Sequence, residues 1–222
     1  MEIIAKIYTN FKEKFGIPRQ SGLSGNIGKI VFEPPYRRTE ALKGLEGYSH
    51  IWLIWQFSDI KRSNWSPTVR PPRLGGNKRV GVFATRSPYR PNPIGLSSVR
   101  LLEIQGTKSE GTVLIVEGAD LLDGTPIYDI KPYLAFTDSH PDAICGFADD
   151  VIADKLEVSI PSELCKMLTS EEISELSTLL SQDPRPHYKT DGETEYGMSF
   201  ASKNINFKVK NNILTVTKIT NM

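Results

Sequence analysis

The chain reads as mainly β, an all-β N-terminal domain followed by a small α+β C-terminal one. Three observations predict this. Its apolar segments are strand-sized and bounded by Gly, Pro and Asn turn signals. Only Thr169–Gln182 has strong helical periodicity, and it lies late in the chain. The central stretch Val69–Ser97, VRPPRLGGNKRVGVFATRSPYRPNPIGLS, has five prolines and five arginines, which excludes a helix or a core strand there.

Taken in order, Glu2–Tyr8 is a first strand. Lys12–Gly22 is a loop in which Pro18 fixes φ and presents Arg19 and Gln20. Asn26–Phe32 alternates as a second strand, ended by Pro34-Pro35. Arg38–Leu45 has room for one or two helical turns before Gly47. Ser49–Phe57 is a continuous apolar strand, expected to be buried on both faces or on one face and against a partner chain, with Trp52 in the core. Arg62–Arg79 is a long irregular excursion, a length that tends to be functional. Arg79–Thr85 is predicted as a strand, and Arg86–Pro93 as a stiff loop.

Leu96–Gln105 and Thr112–Glu117 form a hairpin, and Asp120–Thr125 is a turn built on Asp123-Gly124. Ile127–Lys131 is a further strand, where alternation puts Asp129 and Lys131 on one face within pairing distance. Thr137–Ala143 is polar loop and Lys155–Ile160 a strand. Past Pro161, Ser162–Met167 is a short helix, and Thr169 with Glu172 forms a capping box that opens the main helix. Asp183–Tyr188 (DPRPHY) is a rigid loop bearing an arginine. Asn204–Lys210 and Ile213–Ile219 close the chain as a hairpin turning at Asn211-Asn212. The domains are divided as residues 1–158 and 159–222.

Hydrophobic content of 39% and charged content of 24% are ordinary for a soluble globular protein. No apolar run reaches the roughly 18 residues of a membrane helix. There is no secretory leader after Met1, and Cys145 and Cys165 read as reduced thiols, so a cytoplasmic protein without membrane contact is expected. The net charge of +1 hides a segregation. Nine basic residues and no acidic one lie between Ile60 and Leu102, while the rest of the chain is net acidic. That concentration points to a polyanion site. Neither phosphate-binding glycine motif occurs. His50, His140 and His187 are isolated and there is no C-x-x-C, so no metal site is expected.

These motifs belong together in one known pattern. VRPPRLGGNKRVGVFATRSPYRPNPIGLS, then DLLDGTPIYDIKPY (Asp120–Tyr133), preceded by KEKFGIPRQSGL (Lys12–Leu23) and followed by DPRPHY, strongly resembles the TsaA-like (TrmO-type) tRNA methyltransferases over nearly the whole chain. The resemblance implies a β-barrel that binds S-adenosylmethionine without a Rossmann fold, and a homodimer. It implies methylation of the exocyclic nitrogen of threonylcarbamoyl-adenosine beside the tRNA anticodon. Carried over residue by residue, the cofactor site comprises Pro18, Arg19, Gln20, Phe57, Ser58, Arg86, Leu96, Asp123, Gly124, Thr125 and Pro126. Family members carry histidine where this chain has Ser58.

Within that frame Asp129 or Asp123 is the candidate proton acceptor in catalysis. Arg70, Arg73, Lys78, Arg79, Tyr89 and Arg90 are candidates for RNA binding, through phosphate neutralisation and base stacking. Two other readings compete: an RNA-binding barrel without catalysis, and a methyltransferase of this fold with another substrate.

Overall fold

A computed structural model of the chain describes residues 1–58, 65–74, 76–151, 155–185 and 194–222, apart from the side chains of Arg73, Asp150 and Val151. The N-terminal strands are β1 (Ala5–Tyr8), β2 (Ile27–Phe32), β3 (His50–Gln56), β4 (Thr68–Val69), β5 (Val80–Gly81), β6 (Ile94–Thr107), β7 (Gly111–Glu117) and β8 (Thr125–Pro132). Six of them close an antiparallel barrel in the order β1-β2-β7-β6-β3-β8, and β4 pairs with β5 outside it. Closure comes from Ala5 facing Ile127 and Ile7 facing Thr125.

The barrel interior follows the alternation of the strands. Ala5, Ile7, Ile30, Ile51, Leu53, Val99, Leu114, Val116 and Ile127 are almost fully buried in it. In β3 the inward residues are Ile51, Leu53 and Trp55, so Trp52 points out of the barrel rather than into its core. Its indole donates to Asp138 Oδ2 at 2.8 Å and packs on Tyr133, whose ring centroid lies 5.5 Å away. An all-apolar run carries no label for its inner face, which is why the sequence misplaces Trp52.

A second layer follows. Past the short helix α1 (Ala135–Asp138), which follows β8, the helices α2 (Ser162–Cys165) and α3 (Ser170–Ser181) accompany strands β9 (Glu157–Ser159), β10 (Tyr196–Phe200), β11 (Lys203–Lys210) and β12 (Ile213–Asn221). The sheet order is β10-β11-β12-β9, with β9 parallel to β12. The capping box forms: Glu172 N donates to Thr169 Oγ1 at 3.2 Å and Thr169 N to Glu172 Oε2 at 2.9 Å. Leu176, Leu179 and Leu180 bury the inner face of α3. Asn211 and Asn212 both hold positive φ (51° and 63°), the pair of left-handed residues that a two-residue hairpin needs.

The second core reaches back into the N-terminal half. It contains Phe11 and Leu156, and Phe15 and Ile17 pack against it. The loop after β1 is therefore pinned by the C-terminal layer, not by the barrel alone.

Several predicted elements change. The expected strand Arg79–Thr85 pairs only over Val80–Gly81, then turns as a single 3-10 helix over Val82–Ala84. Val82 is buried there while Phe83 is 71% exposed, so nothing draws the chain on as a strand. The expected helical turns at 38–45 are 3-10 turns at Thr39–Leu42 and Leu45–Gly47. Two elements had no strong sequence signal: the short α1 and the edge strand β10. Both cysteines are free thiols. No described helix is long and apolar enough to cross a membrane.

Two substitutions test the layers. Leu53→Ala removes a fully buried barrel side chain and should cost about 2–5 kcal/mol in urea unfolding. Thr169→Ala should cost about 1 kcal/mol, because it removes only the α3 cap. A Leu53→Ala loss no larger than that of the cap variant would contradict the barrel core.

Candidate active site

One rim of the barrel carries the site. The end of β1, the end of β3, the start of β6, the end of β7 and the start of β8 all open on the same side, by the registers of their antiparallel pairs. Their connections enclose a cleft of about 550 Å³. Pro18, Arg19 and Gln20 enter from the loop after β1, and Phe57 and Ser58 from the end of β3. Arg86, Tyr89 and Arg90 come from the β5–β6 loop, and Leu96 and Thr125 from the first residues of β6 and β8. Eight of the eleven proposed cofactor residues thus share one cleft, with Asp123, Gly124 and Pro126 off its wall.

Three of these side chains are fixed by neighbours. Arg86 Nη1 donates to Gln20 Oε1, and Gln20 Nε2 donates to the Arg19 carbonyl at 2.5 Å. Arg19 Nη2 donates to the carbonyl of Asp183 at 2.6 Å and to that of Arg185 at 3.4 Å. Those carbonyls are themselves braced, since Arg185 grips the Asp183 carboxylate through Nε at 2.8 Å and Nη2 at 2.9 Å. The arginine of DPRPHY therefore shapes the support of Arg19; Pro186, His187 and Tyr188 lie outside the described residues.

The cleft floor is aromatic and hydrogen-bonded. Trp55 and Phe57 meet with ring centroids 4.3 Å apart. Trp55 Nε1 donates to Ser97 Oγ at 2.9 Å, and Ser97 Oγ donates to Asp120 Oδ1 at 2.5 Å. Burial pushes the Asp120 carboxyl above the ordinary aspartate range, while the Ser97 hydroxyl, nearby backbone N–H groups and the Arg86 charge pull it partly back. Gly95 faces Trp55 across the β3–β6 ladder, and a Cβ there would fall among the indole atoms.

The carboxylates expected to act in catalysis sit elsewhere. Asp123 clamps the loop after β1, accepting from Thr9 N at 3.0 Å and pairing with Lys12 Nζ at 2.7 Å. The Asp123 and Gly124 N–H groups donate to the carbonyls of Phe11 and Ile7, both at 2.8 Å. Asp129 pairs with Lys131 at 2.9 Å, as alternation suggested, and neither side chain lines the cleft. Asp120, Trp55 and Ser97 were missed. Their only sequence signal is inward-facing parity in β3 and β6 and a position three residues ahead of Asp123, which a core strand and a turn would equally show.

A second cleft of about 650 Å³ shares Gln20, Thr85, Arg86, Pro88 and Tyr89 with the first. Its far side carries Arg70 and Arg79, and Arg79 Nη1 donates to Thr68 Oγ1 at 2.8 Å. Lys78 is exposed beside it, and the Arg73 side chain lies outside the described residues. Arg90 stays on its own loop, donating to the carbonyls of Thr85 at 3.0 Å and Ser87 at 3.3 Å. Its guanidinium lies 6.0 Å from the Phe83 ring centroid. Phe83 in turn stacks on Trp65 at 6.3 Å. The row Trp65–Phe83–Arg90 leads from solvent to the first cleft. Among the described residues no group of His, Cys, Asp and Glu is placed to hold a metal ion.

The family model for the tRNA-methyltransferase O N-terminal domain matches residues 6–139, and that for the TrmO C-terminal domain matches residues 153–222. An Escherichia coli K12 protein named tRNA (adenine(37)-N6)-methyltransferase is 47% identical over 201 residues, spanning 87% of this chain and 85% of its own length. A Pseudomonas aeruginosa protein named as a putative S-adenosylmethionine-dependent methyltransferase is 41% identical, covering 88% and 86%. A crystal structure of TrmO from P. aeruginosa superposes with a TM-score of 0.78 at 33% identity, covering 99% of this chain and 95% of that one.

Gly95→Ala tests the floor. The new methyl group must displace the Trp55 indole, so the variant should lose affinity for any cleft ligand and about 1–3 kcal/mol of stability, the usual cost of overpacking. Unchanged unfolding and unchanged ligand affinity would show that the indole is not held against this strand.

Proposed function

The chain belongs to the tRNA-methyltransferase O family, and we propose that it transfers a methyl group from S-adenosylmethionine to the exocyclic N6 of adenosine 37 in tRNA, with threonylcarbamoyl-adenosine as the form acted on. The observation that carries this reading is the gathering of Pro18–Gln20, Phe57, Ser58, Arg86, Leu96 and Thr125 around one cleft. Its volume lies within the range of about 300–1,000 Å³ usual for small-molecule sites. The donor set suits the cofactor. Ile17, Leu96 and Leu122 provide apolar walls, Trp55, Phe57 and Tyr89 provide ring faces, and Arg19, Gln20 and Arg86 provide hydrogen-bond donors. When bound, S-adenosylmethionine supplies an electrophilic methyl group on a sulfonium. The chain's own task is to position and desolvate.

Arg86 stands on the wall between the two clefts, where it orients Gln20 and faces either occupant. The second cleft, with Arg70 and Arg79 across from Arg86 and Tyr89, suits the anionic threonylcarbamoyl group and its flanking phosphates. Lys78 and the Trp65–Phe83 stack extend that face with charge and with rings on which unpaired bases of an anticodon loop can stack. A target in a single-stranded loop costs little to extrude.

Asp123, Gly124 and Pro126 act in this reading as the brace of the rim, with only Thr125 meeting the ligand. The barrel is the catalytic body, and the C-terminal layer holds Arg19 in place through Asp183 and Arg185. We take the enzyme to work in the cytoplasm as a homodimer. Phe136 and Ile144, 87% and 93% exposed on the segment after β8, are apolar groups that a second copy would cover.

Calorimetry should register S-adenosylmethionine binding, and mass spectrometry of tRNA nucleosides from a deletion strain should show loss of methylated threonylcarbamoyl-adenosine. No binding at millimolar cofactor would leave the RNA-binding reading. Persistence of the methylated nucleoside, with no paralogue present, would assign a different substrate. Arg86→Ala should lower kcat/KM at least tenfold, about 1.4 kcal/mol of transition-state stabilisation, while leaving the thermal midpoint nearly unchanged. A stability loss matching that of Leu53→Ala would contradict a role in the cleft.

A further inference from the structure

We propose that Asp120 is the base that takes the proton from the target nitrogen. This rests on the methyl-transfer reading of the same cleft, and it names a residue which that reading leaves open. The exocyclic nitrogen carries a hydrogen, and its lone pair is delocalised into the purine ring and the carbamoyl group. It becomes nucleophilic as the proton leaves. In the balanced step the N–H proton passes to a carboxylate oxygen of Asp120. The freed pair forms the new N–CH₃ bond, and the S–CH₃ bond breaks with its electrons left on sulfur. Asp120 then returns the proton to water.

Asp120 is selected by elimination across the wall. Among the described residues it is the one acidic residue lining the cleft, and no described histidine lines it. Lys14, Arg19, Arg86 and Arg90 are cationic donors. The amide oxygens of Gln20 and Gln56 are occupied by Arg86 and by the Tyr128 hydroxyl. The hydroxyls of Thr85 and Thr125 donate to the carbonyls of Val82 at 2.8 Å and Leu122 at 2.7 Å. Asp123 and Asp129 are committed to Lys12 and Lys131 away from the cleft.

The carboxyl group is also held for the task. The relay Trp55 Nε1 to Ser97 Oγ to Asp120 Oδ1 fixes its rotation on the floor. Backbone N–H groups of Ser21 and of Asp120 itself are directed at it too. A carboxylate has about four lone-pair sites, so room remains for one more donor. Partial burial makes the group a stronger base than a surface aspartate, while the Ser97 hydroxyl, backbone N–H groups and the Arg86 charge partly offset that upward push. The other charged side chains on the cleft wall among the described residues, Lys14, Arg19 and Arg90, are positive.

The test uses the full chain with carboxyl-¹³C aspartate and a transcript carrying threonylcarbamoyl-adenosine. The Asp120 resonance should titrate above the ordinary aspartate range in the enzyme alone, and higher still in Ser97→Ala, because the lost hydroxyl had favoured the ionised form. The single-turnover rate should rise with pH through that same titration and then level. In Ser97→Ala the acidic limb should move up with the resonance. Asp120→Asn should slow turnover by about 10²–10⁴-fold, lose the acidic limb, and keep its S-adenosylmethionine affinity within about threefold.

Full turnover in Asp120→Asn beside an active wild type overturns the proposal and leaves the methyl-transfer reading intact. Loss of cofactor affinity in step with turnover overturns it in favour of a cofactor ligand. A wild type that transfers no methyl group overturns both. If Asp120→Asn does not fold, Ser97→Ala decides: a resonance that shifts without the rate profile overturns the proposal.

Discussion

Ala5, Lys6 and Ile7 lie across from Ile127, Pro126 and Thr125, and that pairing turns an open sheet into a barrel. Proline brings no N–H to the ladder. The bonds beside it carry the closure, from Ile4 N to the Ile127 carbonyl at 2.9 Å and from Gly124 N to the Ile7 carbonyl at 2.8 Å. Closure puts the loop after β1 beside the turn before β8. Asp123 then clamps the two through Thr9 and Lys12. Gly124 holds φ at +76°, the left-handed conformation that lets this turn reverse into β8. Without the seam, Pro18–Gln20 and Asp120 would have no common cleft.

The seam is not the loop's only anchor. Phe11, Phe15 and Ile17 leave the barrel and join the second core with Met198, Phe200 and Phe207. Phe15 stacks on Phe207 at 6.5 Å between ring centroids. Arg19 then spends hydrogen bonds on the carbonyls of Asp183 and Arg185, where Asp183 holds a positive φ of 50°. A guanidinium so fixed loses less freedom when a ligand arrives, and that preorganisation favours binding. The C-terminal layer is thereby mechanically part of the cleft, although none of its described residues lines it.

The sequence announced this site wherever its backbone had to be stiff. Pro18, Pro88, Pro91 and Pro93 mark loops that no strand or helix would tolerate, and the arginines between them mark the charge. Strand alternation exposed most of the barrel in the same way. What stayed hidden were groups that look like ordinary strand or turn residues. Ser97 is 1% exposed near the start of β6, and only its neighbours in space reveal that it joins an indole to a carboxylate. Asp123 and Asp120 are chemically alike and three residues apart, and the seam decides which one faces a lysine and which one faces the cleft. Trp52 and Trp55 differ only in parity within an apolar run, yet one braces Asp138 outside and the other floors the cleft.

The charge segregation of the chain acquires a mechanical meaning here. Arg70, Arg79 and Arg86 lie around the second cleft, and Arg86 is common to both. An anion bound between Arg70 and Arg86 would draw the adenosine toward the wall formed by residues 85–89. That wall is rigid because Thr85, Ser87 and Tyr89 bond one another in sequence and Tyr89 accepts from Ser66 N at 3.2 Å. Around the second cleft the described charged side chains are all cations, whereas the first sets a partly buried carboxylate at its floor beside cations of its own. Ser97 and Trp55 hold Asp120 there, and the Arg86 charge partly offsets the upward push that burial gives its carboxyl.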